Sequence, residues 1–153
     1  MNYELVPMTI RYAEEIDGWH YEDVYSFYDL SEDPEDRKEF LDSSQWANAY
    51  FAVLDDAGGL AGYFVFEEDG EDLVLGLGMR PDLTGRGLGA AFLQAGLAFA
   101  RKRCQPKAFR LSVAAFNRRA IRAYEKAGFA RTCTFQKETN GGTHEFVEMT
   151  RES

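Results

Sequence analysis

The sequence predicts a single α/β domain spanning residues 1–153, with a mixed, mostly antiparallel central sheet flanked by helices. Three observations support this fold class. A chain of 153 residues, 45% of them hydrophobic, has the length of one domain with a substantial core. Short apolar runs typical of strands alternate with segments whose apolar residues recur at helical spacing. The chain has no repeat, linker or low-complexity tract, which favours one unit in the order β-α-α-β-β-β-α-β-α-β-β.

The first three elements are a strand and two helices. Residues 3–8 alternate loosely between apolar and polar side chains, as expected of a strand. Thr9 can cap the helix that follows. A second helix is predicted to start from a cap at Ser31 or Asp33 and to run to about Asn48.

Three strands come next. Residues 50–54 and 60–67 are short apolar runs, and the turn residues 55–59 between them predict a hairpin. A further turn leads into residues 73–79, which are expected to form a buried fourth strand that Pro81 ends. The remaining elements are a helix that ends near Arg103, a strand over 109–115, a helix capped by Asn117 and ended by Gly128, and two closing strands over 129–136 and 144–150.

Composition excludes several classes of protein. No apolar run approaches the ~20 residues that cross a bilayer, and the N-terminus lacks the basic and apolar stretches of a secretory signal. The cysteines Cys104 and Cys133 and the histidines His20 and His144 show no metal-ligand spacing. We therefore expect a cytoplasmic protein that carries reduced thiols, needs no metal and does not associate with membranes. Both histidines are expected at the surface or in satisfied positions.

The charges are unevenly distributed. The net charge of −9 argues against a nucleic-acid-binding protein. Residues 1–72 hold 20 acidic and 3 basic side chains, whereas residues 73–153 hold 6 acidic and 14 basic ones. This division is typical either of two solvated faces or of a site where an anionic ligand meets the second half and a cationic ligand the first.

Three alternate glycines, Gly85, Gly87 and Gly89, lie between the fourth predicted strand and a helix. Without side chains the backbone can approach a ligand closely, and the free N–H groups at a helix start attract an anion. The loop lacks the Gly-Lys-Ser/Thr ending of a Walker loop, and it does not follow the first strand as a dinucleotide-binding loop usually does. A phosphate-binding loop and a tight connection without a ligand both remain open.

The surrounding residues strengthen the phosphate interpretation. The segments Met79-Arg80-Pro81, Thr84-Gly85-Arg86-Gly87-Leu88-Gly89 and Ala127-Gly128-Phe129, together with Asn117 and Tyr124, resemble the GCN5-related N-acetyltransferase family of acetyl-CoA-dependent enzymes. The resemblance extends over the whole order of elements and is most specific between Leu73 and Phe129. Thr84 departs from the family's loop, which usually has Gln or Arg there, although Arg86 offers a positive charge from inside the loop.

The resemblance implies a site for acetyl-CoA. The loop amides would bind the pyrophosphate, the strand around Gly78 would hydrogen-bond the pantetheine arm, and Tyr124 would protonate the departing thiolate as a general acid. Asn117 and Tyr124 can instead be a helix cap and a core aromatic. Gly76 and Gly78 would weaken an ordinary strand, so they favour a bulge or a close ligand approach, although they can instead make room for packed aromatics. The implied cofactor-binding residues are Leu77, Gly78, Met79, Thr84, Gly85, Arg86, Gly87, Leu88, Gly89, Ala90, Asn117 and Tyr124.

A general base is harder to assign. An amine with a pKa near ~10.4 must lose a proton before it attacks a carbonyl carbon. Family members often place a Glu in the fourth strand or, in one subtype, in the next strand five residues before the Asn. Here the fourth strand has no acid and the second position is Ser112. The other candidates, of which we choose none, are Glu22, Asp23, Glu67, Glu68, Glu71 and Asp72.

The favoured interpretation is an N-acetyltransferase that moves the acetyl group of acetyl-CoA directly to a primary amine. The basic half, through Arg86, Arg118, Arg119 or Arg122, would meet the phosphates. The acidic half, with Trp19, Tyr21, Tyr25 and Tyr28, would bind a cationic acceptor. A non-catalytic acyl-CoA sensor and a nucleotide-binding module are the alternatives, and a homodimer is left open.

Overall fold

A computed structural model describes residues 2–153, in which seven strands form one sheet and four α-helices pack on it. The strands are β1 (Glu4–Pro7), β2 (Tyr50–Leu54), β3 (Leu60–Asp69), β4 (Asp72–Met79), β5 (Ala108–Ala114), β6 (Ala130–Thr139) and β7 (Gly142–Glu152). The helices are α1 (Ile10–Asp17), α2 (Pro34–Phe40), α3 (Gly89–Cys104) and α4 (Arg118–Lys126). The predicted order of helices and strands is confirmed.

The sheet has the strand order β1-β2-β3-β4-β5-β7-β6. Strands β4 and β5 pair in parallel, and every other neighbouring pair in residues 2–153 is antiparallel. The parallel pair requires a crossover, which α3 supplies. The predicted mixed, mostly antiparallel sheet is therefore confirmed.

Two hydrophobic clusters cover the two faces of the sheet. Alternate side chains of β2 point to opposite faces, so Phe51 and Val53 enter the larger cluster and Tyr50 and Ala52 the smaller one. The larger cluster includes the buried faces of α3 and α4, and the smaller one includes those of α1 and α2. The helices are thus divided between the faces, with α3 and α4 next to the segment that carries the predicted cofactor residues.

Helix α3 approaches the sheet closely at Gly96. A Cβ atom placed there would collide with the ring of Phe64, which is fully buried and stacks on Phe92 with ring centroids 4.9 Å apart. A glycine inside a helix usually costs about 1 kcal/mol relative to alanine. Here its small size allows the helix to lie against an aromatic layer of the sheet.

The second predicted helix is wrong in length, because α2 ends at Phe40 rather than near Asn48. The carboxylate of Asp42 accepts hydrogen bonds from the backbone N–H and the hydroxyl of Ser44, which favours a turn over a continued helix. A short 3₁₀ turn follows over Ser43–Gln45, and Asn48 has a φ of 61°. Local side-chain hydrogen bonds therefore end the helix early.

Residues 19–33, here called the aromatic segment, connect α1 to α2. They contain two short 3₁₀ helices, Asp23–Tyr28 and Leu30–Glu32, and Asp33 then caps α2 by accepting from the N–H groups of Glu35 and Asp36. The sequence left Ser31 and Asp33 open as caps, and the structure has Asp33 in that position.

The β6–β7 turn binds the aromatic segment. Asn140 and Gly141 have φ values of 52° and 75°, as the two-residue turn of a hairpin requires. The hydroxyl of Thr139 and the N–H of Asn140 donate to the Asp33 carboxylate, and Asn140 Nδ2 donates to the Phe27 carbonyl at 2.6 Å. The hydrogen bond from Thr139 is the main reason that the pKa of Asp33 is lowered. These bonds, here called the turn latch, fix the aromatic segment to the far edge of the sheet.

None of the helices within residues 2–153 combines the length and the apolar content required to cross a bilayer.

Candidate active site

Strands β4 and β5 separate halfway along their length. Their parallel register runs from Asp72–Ala108 to Leu75–Leu111 and then stops, although β5 continues to pair with β7 as far as Ala114. Residues 76–79 of β4 consequently have no partner strand on this side among the residues that the structure describes. The space between residues 76–79 and residues 112–114 is here called the gap.

The backbone groups that face the gap can be identified from the register. Arg80 N–H donates to the Ala61 carbonyl on β3 at 2.8 Å, so Arg80 faces β3. Because successive residues of a strand point their N–H and C=O groups to opposite sides, Gly78 also faces β3, whereas Leu77 and Met79 face the gap. The Met79 carbonyl accepts a hydrogen bond from the Tyr21 hydroxyl at 2.6 Å. This leaves an open strand edge at Leu77, beside the aromatic segment.

The bulge offered as one explanation for the glycines of β4 is wrong as far as pairing with β3 is concerned. The register runs without a shift from Gly62–Met79 to Asp69–Asp72. Gly78 makes room for an aromatic side chain instead, because a Cβ atom there would lie 2.6 Å from the ring of Tyr63. Burial is the main cause that raises the pKa of the Tyr63 phenol, to about 12.

The glycine loop, residues 84–89, joins β4 to α3, and its glycines are exposed to solvent. Gly85 and Gly87 have φ values of 73° and 74°, which side chains other than glycine rarely adopt. A Cβ atom at Gly87 or Gly89 would meet no atom within 4 Å. Within residues 2–153, the N–H groups of residues 85–91 donate to no protein acceptor, and no side chain caps α3. The loop therefore offers a row of free N–H donors at a helix N-terminus, which is a site for an anion.

Arginine side chains adjoin this loop. Arg86, named from the sequence as a source of positive charge, is exposed and donates to the Asp82 carbonyl at 3.4 Å. The guanidinium of Arg119 lies 3.1 Å from the position of a Cβ atom at Gly85 and 4.3 Å from the ring centroid of Tyr25. Arg119 thus contacts both the glycine loop and the aromatic segment. Thr84 turns its hydroxyl to the Pro81 carbonyl at 2.7 Å and so closes the turn before the loop.

Asn117 is a helix cap with a second hydrogen bond. Its carbonyl oxygen accepts from the Ala120 N–H at 3.1 Å, while its amide nitrogen donates to the Tyr28 hydroxyl at 3.2 Å. Only 8% of its surface is exposed. The capping role considered from the sequence is confirmed, and the contact with Tyr28 brings the aromatic segment against the start of α4.

Tyr124 is half-buried on α4, where it packs against the larger hydrophobic cluster. The centroid of its ring lies 6.0 Å from that of the Phe129 ring. Burial is the main cause that raises the pKa of its phenol well above the usual value, and the neighbouring phenols of Tyr28 and Tyr63 raise it further. Three tyrosines from α4, β3 and the aromatic segment are therefore close enough to influence one another.

A histidine–carboxylate pair in the aromatic segment was missed by the sequence analysis. His20 Nδ1 lies 3.0 Å from Asp29 Oδ2, and the other carboxylate oxygen accepts the Tyr21 N–H at 2.8 Å. Asp29 is 8% exposed, whereas the His20 side chain is 68% exposed. Asp29 is acidic in an acid-rich stretch and follows His20 by nine residues, a spacing that matches no periodic structure. The sequence contains no other signal that would have singled out the pair.

Several carboxylates considered as bases are occupied elsewhere. Glu71 pairs with Lys107 at 2.8 Å, and Asp72 pairs with Arg110 at 3.2 Å. These residues lie where β4 begins, at the opposite end from the gap. Glu22 and Asp23 are exposed in the aromatic segment and form no ion pair with any residue in 2–153.

Metal-ligand clusters and disulfides are not found in the part of the chain that the structure describes. No group of three or more His, Cys, Asp or Glu side chains there is arranged to hold a metal ion. Cys104 and Cys133 are both exposed and free. Burial, followed by the charge of Glu68, raises the pKa of the Cys104 thiol, which makes it a poor nucleophile.

Comparison with known proteins identifies the family. The sequence model described as the Acetyltransferase (GNAT) family matches residues 13–129, which include most of α1, all of α2 to α4, the gap and the glycine loop. The chain belongs to this family, as the motifs around the glycine loop indicated. Enzymes of this family use acetyl-CoA as a co-substrate.

Individual relatives are more distant. The mycothiol acetyltransferase of Propionibacterium freudenreichii subsp. shermanii is 40% identical over 81 residues, which are 50% of this chain and 26% of that protein. This chain thus matches only about a quarter of the length of that curated relative. A solved GNAT-family acetyltransferase from Bacillus anthracis has a TM-score of 0.76 at 17% identity, with 99% of this chain and 95% of that one covered. A mutant of the Vibrio cholerae spermidine N-acetyltransferase has a TM-score of 0.74 at 19% identity, with 99% and 94% covered. Each of these two solved structures has the same fold as this chain.

Proposed function

We propose that this protein is an N-acetyltransferase that transfers the acetyl group of acetyl-CoA directly to the primary amine of a cationic small molecule or peptide. The observation that carries the proposal is the edge of β4, open among the described residues, beside a loop whose N–H groups have no acceptor there. An extended amide-containing arm can add to such an edge as a strand would, and a pyrophosphate fits the adjacent helix N-terminus.

The residues present fit acetyl-CoA. The N–H and C=O of Leu77 would bind the pantetheine arm, and the open space at Gly87 and Gly89 would allow the pyrophosphate to reach the loop amides. Thr84, Gly85, Arg86, Leu88 and Ala90 complete the proposed phosphate site. When bound, acetyl-CoA supplies an activated thioester, whose carbonyl would be polarised by an N–H of the Leu77-Gly78-Met79 strand edge.

Tyr124 is proposed as the general acid that protonates the departing thiolate. Its raised pKa supports this role, because the phenol keeps its proton throughout the neutral range. Asn117 is proposed to meet the pantetheine side, where its buried amide already donates to Tyr28. Two observations support these assignments: Asn117 lies three residues beyond the end of β5, and the phenols of Tyr28 and Tyr63 influence the pKa of Tyr124.

The acceptor is proposed to be a cation. The aromatic segment presents Tyr21, Tyr25 and Tyr28 toward the gap and the start of α4, together with the exposed carboxylates of Glu22 and Asp23. Aromatic faces and carboxylates both attract cations. Spermidine, which the Vibrio cholerae neighbour acetylates by its name, is a cationic amine of this chemical class.

The test is acetyl transfer to a panel of amines. Release of free CoA thiol from acetyl-CoA would be followed with polyamines, amino sugars and peptides with free N-termini, and the acetylated product would be identified by mass. We expect turnover with at least one primary amine and no release with neutral alcohols. Binding of acetyl-CoA without turnover of any amine would instead show a non-catalytic acyl-CoA sensor.

A thermal-shift comparison separates the nucleotide-binding alternative. The proposal predicts that CoA and acetyl-CoA raise the melting temperature, because a ligand selective for the folded state stabilises it by mass action. ATP and NAD lack the pantetheine arm that would pair with β4 and should stabilise the protein less. A larger shift with ATP or NAD than with CoA would overturn the assignment of the cofactor. Cell fractionation and sedimentation would test the expected cytoplasmic location and a homodimer.

A further inference from the structure

The proposed reaction requires a proton acceptor that the strands do not provide. Within residues 2–153, the seven residues from Leu73 to Met79 on β4 contain no acid, and β5 carries Ser112 at the other family position. Glu71 and Asp72 are held in ion pairs away from the gap. Glu67 and Glu68 lie on β3 opposite Val74 and Leu73, also away from the gap. The remaining candidates lie in the aromatic segment, which carries His20, Glu22 and Asp23.

The aromatic segment reaches the gap through Tyr21. The Tyr21 hydroxyl donates to the Met79 carbonyl at 2.6 Å, which fixes the neighbouring backbone beside the open strand edge. The N–H of Tyr21 is bound at the same time by the Asp29 carboxylate. His20 is therefore one residue away from a side chain that contacts the proposed pantetheine-binding strand.

Asp29 holds the His20 ring in one orientation. A buried carboxylate 3.0 Å from Nδ1 favours the proton on Nδ1, which leaves the lone pair of Nε2 free to accept another proton. Asp29 is nearly buried while the imidazole is largely exposed. The pair thus consists of a fixed, shielded carboxylate and an accessible ring, which is the arrangement that orients a histidine base.

We propose that His20 is the general base of the acetyl transfer and that Asp29 is the positioning residue that orients it. This inference depends on the proposed function and names the missing participant in the same site. Imidazole suits this task because histidine side chains exchange protons near neutral pH, whereas a primary ammonium group holds its proton to about pH 10.

The proton and electron pairs balance without another reactant. His20 Nε2 accepts one proton from the acceptor's ammonium group, directly or through one water, and the freed lone pair forms the bond from nitrogen to the acetyl carbon. The bond between that carbon and sulfur breaks, and its electron pair leaves on sulfur. Tyr124 gives its proton to the thiolate. The nitrogen loses its second proton as the amide forms, and this proton passes through water to restore the Tyr124 phenol. His20 returns its own proton to water, so one proton is released for each acetyl group transferred.

The decisive experiment compares His20→Gln with wild type on two acceptors. One is the best amine of the panel, and the other is its analogue with fluorine atoms beside the reacting amine, which lowers that amine's pKa so that it is already neutral at the assay pH. For the ordinary amine we expect kcat/KM to fall about 10²-fold or more. For the fluorinated amine the loss should be less than about tenfold, because that amine needs no base. For the ordinary amine, Asp29→Asn should lower kcat/KM less than His20→Gln does. The loss should again be smaller for the fluorinated amine.

His144→Gln is the matched control. It makes the same chemical change in the other histidine, whose ring contacts the aromatic segment at Phe27 with centroids 4.9 Å apart and which forms no hydrogen bond to a carboxylate within residues 2–153. We expect its kcat/KM to stay within about threefold of wild type for both acceptors. Melting temperatures of all variants show whether the fold is kept, which is expected for the exposed His20.

Equal losses of His20→Gln on both acceptors, with an unchanged melting temperature, would assign His20 a structural role and overturn the inference. Undiminished turnover by His20→Gln would overturn it as well, while leaving the proposed function in place. A wild type that acetylates no amine would overturn the proposed function and this inference together.

Discussion

Tyr124 provides the first prediction at the scale of a residue. Tyr124→Phe should lower kcat by about 10²-fold while leaving the KM for acetyl-CoA nearly unchanged, because loss of a proton donor acts on the transition state. Since the folded-state pKa of Tyr124 is raised, the wild-type activity should not decline through ionisation of this phenol up to about pH 10. Steady-state kinetics across pH would check both results. A wild-type kcat in the Phe variant would leave Tyr124 as a packing residue.

Tyr3→Phe removes a phenol hydroxyl outside the proposed site and so serves as a control for Tyr124→Phe. The hydroxyl of Tyr3 is buried without a hydrogen-bond partner in the described chain, and its ring meets Phe92 edge-on at 5.7 Å. Tyr3→Phe removes an unsatisfied polar group, so the free energy of unfolding should stay equal or rise by up to about 1 kcal/mol. Denaturant unfolding would measure this, and kcat should not change. Clear destabilisation would indicate that the hydroxyl is hydrogen-bonded in solution.

Individual residues could be predicted only where their role is local. Asn117 was recognised as a cap because capping depends on neighbours within one turn. Its hydrogen bond to Tyr28 spans 89 positions, and that of Tyr21 to Met79 spans 58, so neither has a local signal. The His20–Asp29 pair was missed for a related reason, because its nine-residue spacing lies in a segment of 3₁₀ turns rather than a regular helix.

At the scale of elements, the glycine loop and the start of α3 can be tested with one substitution. Gly89→Asp should abolish the thermal shift caused by acetyl-CoA, because a carboxylate would face the pyrophosphate. The fold should remain intact, since a Cβ atom at Gly89 meets nothing within 4 Å and an acid at a helix N-terminus is favourable. Gly89→Asn, the uncharged analogue of similar shape, should keep a larger part of the shift. Full binding by Gly89→Asp would place the pyrophosphate elsewhere.

Helix α3 also carries a prediction about packing. Gly96→Ala should destabilise the protein by roughly 1–2 kcal/mol, because the added methyl group must displace the buried ring of Phe64. Gly89→Ala makes the same change in open space on the same helix and should be neutral or slightly stabilising. Unfolding curves of the two variants would decide. If Gly96→Ala were more stable than wild type, the Phe64 ring would have to move aside without cost.

Elements were predictable where hydrophobic spacing and turn residues agreed. Strands β2 and β3 and helices α3 and α4 satisfy both criteria. The prediction of the second helix was wrong between residues 41 and 48, where side-chain hydrogen bonds at Asp42 compete with the helical backbone hydrogen bonds. Propensity and apolar spacing do not include that competition, so the predicted helix was too long.

The charge distribution is a property of the whole molecule. Part of the excess of acids is paired with the basic half, since Glu71 pairs with Lys107 and Asp69 and Asp72 pair with Arg110. Glu22 and Asp23 remain exposed and unpaired in the described chain. We therefore expect added salt to raise the KM for the acceptor, because salt screens charges beyond about 8 Å at physiological strength.

The variant that tests this prediction is Glu22→Gln combined with Asp23→Asn, which should raise the acceptor KM and change the KM for acetyl-CoA less. Asparagine tolerates the φ of 52° at position 23. Glu67→Gln with Glu68→Gln removes the same charge from exposed positions near the opposite end of the sheet and should have a smaller effect. An anionic preferred acceptor would contradict the charge argument while leaving the fold intact.

The fold class could be predicted because the order of elements constrains how a sheet can form. The position of the gap could not, because it depends on where β4 and β5 stop pairing, and no run of residues encodes that separation. Residues Leu77 and Met79 were assigned to cofactor binding through resemblance to a family. Among the described residues, Leu77 has no partner strand on its outward side, whereas the Met79 carbonyl is bound by the Tyr21 hydroxyl. Both assignments remain predictions.

The turn latch has a consequence for synthesis on the ribosome. Asp33 emerges 106 and 107 residues before its partners Thr139 and Asn140, and β7, which follows β6 in the chain, belongs between β5 and β6. A nascent chain can therefore assemble β1 to β5 and the glycine loop before the turn latch forms, while one edge of β5 is exposed and the aromatic segment is held only by its contacts with β4 and α4. Chains arrested before residue 139 should be cleaved readily by protease within residues 19–33, whereas released chains should resist cleavage there.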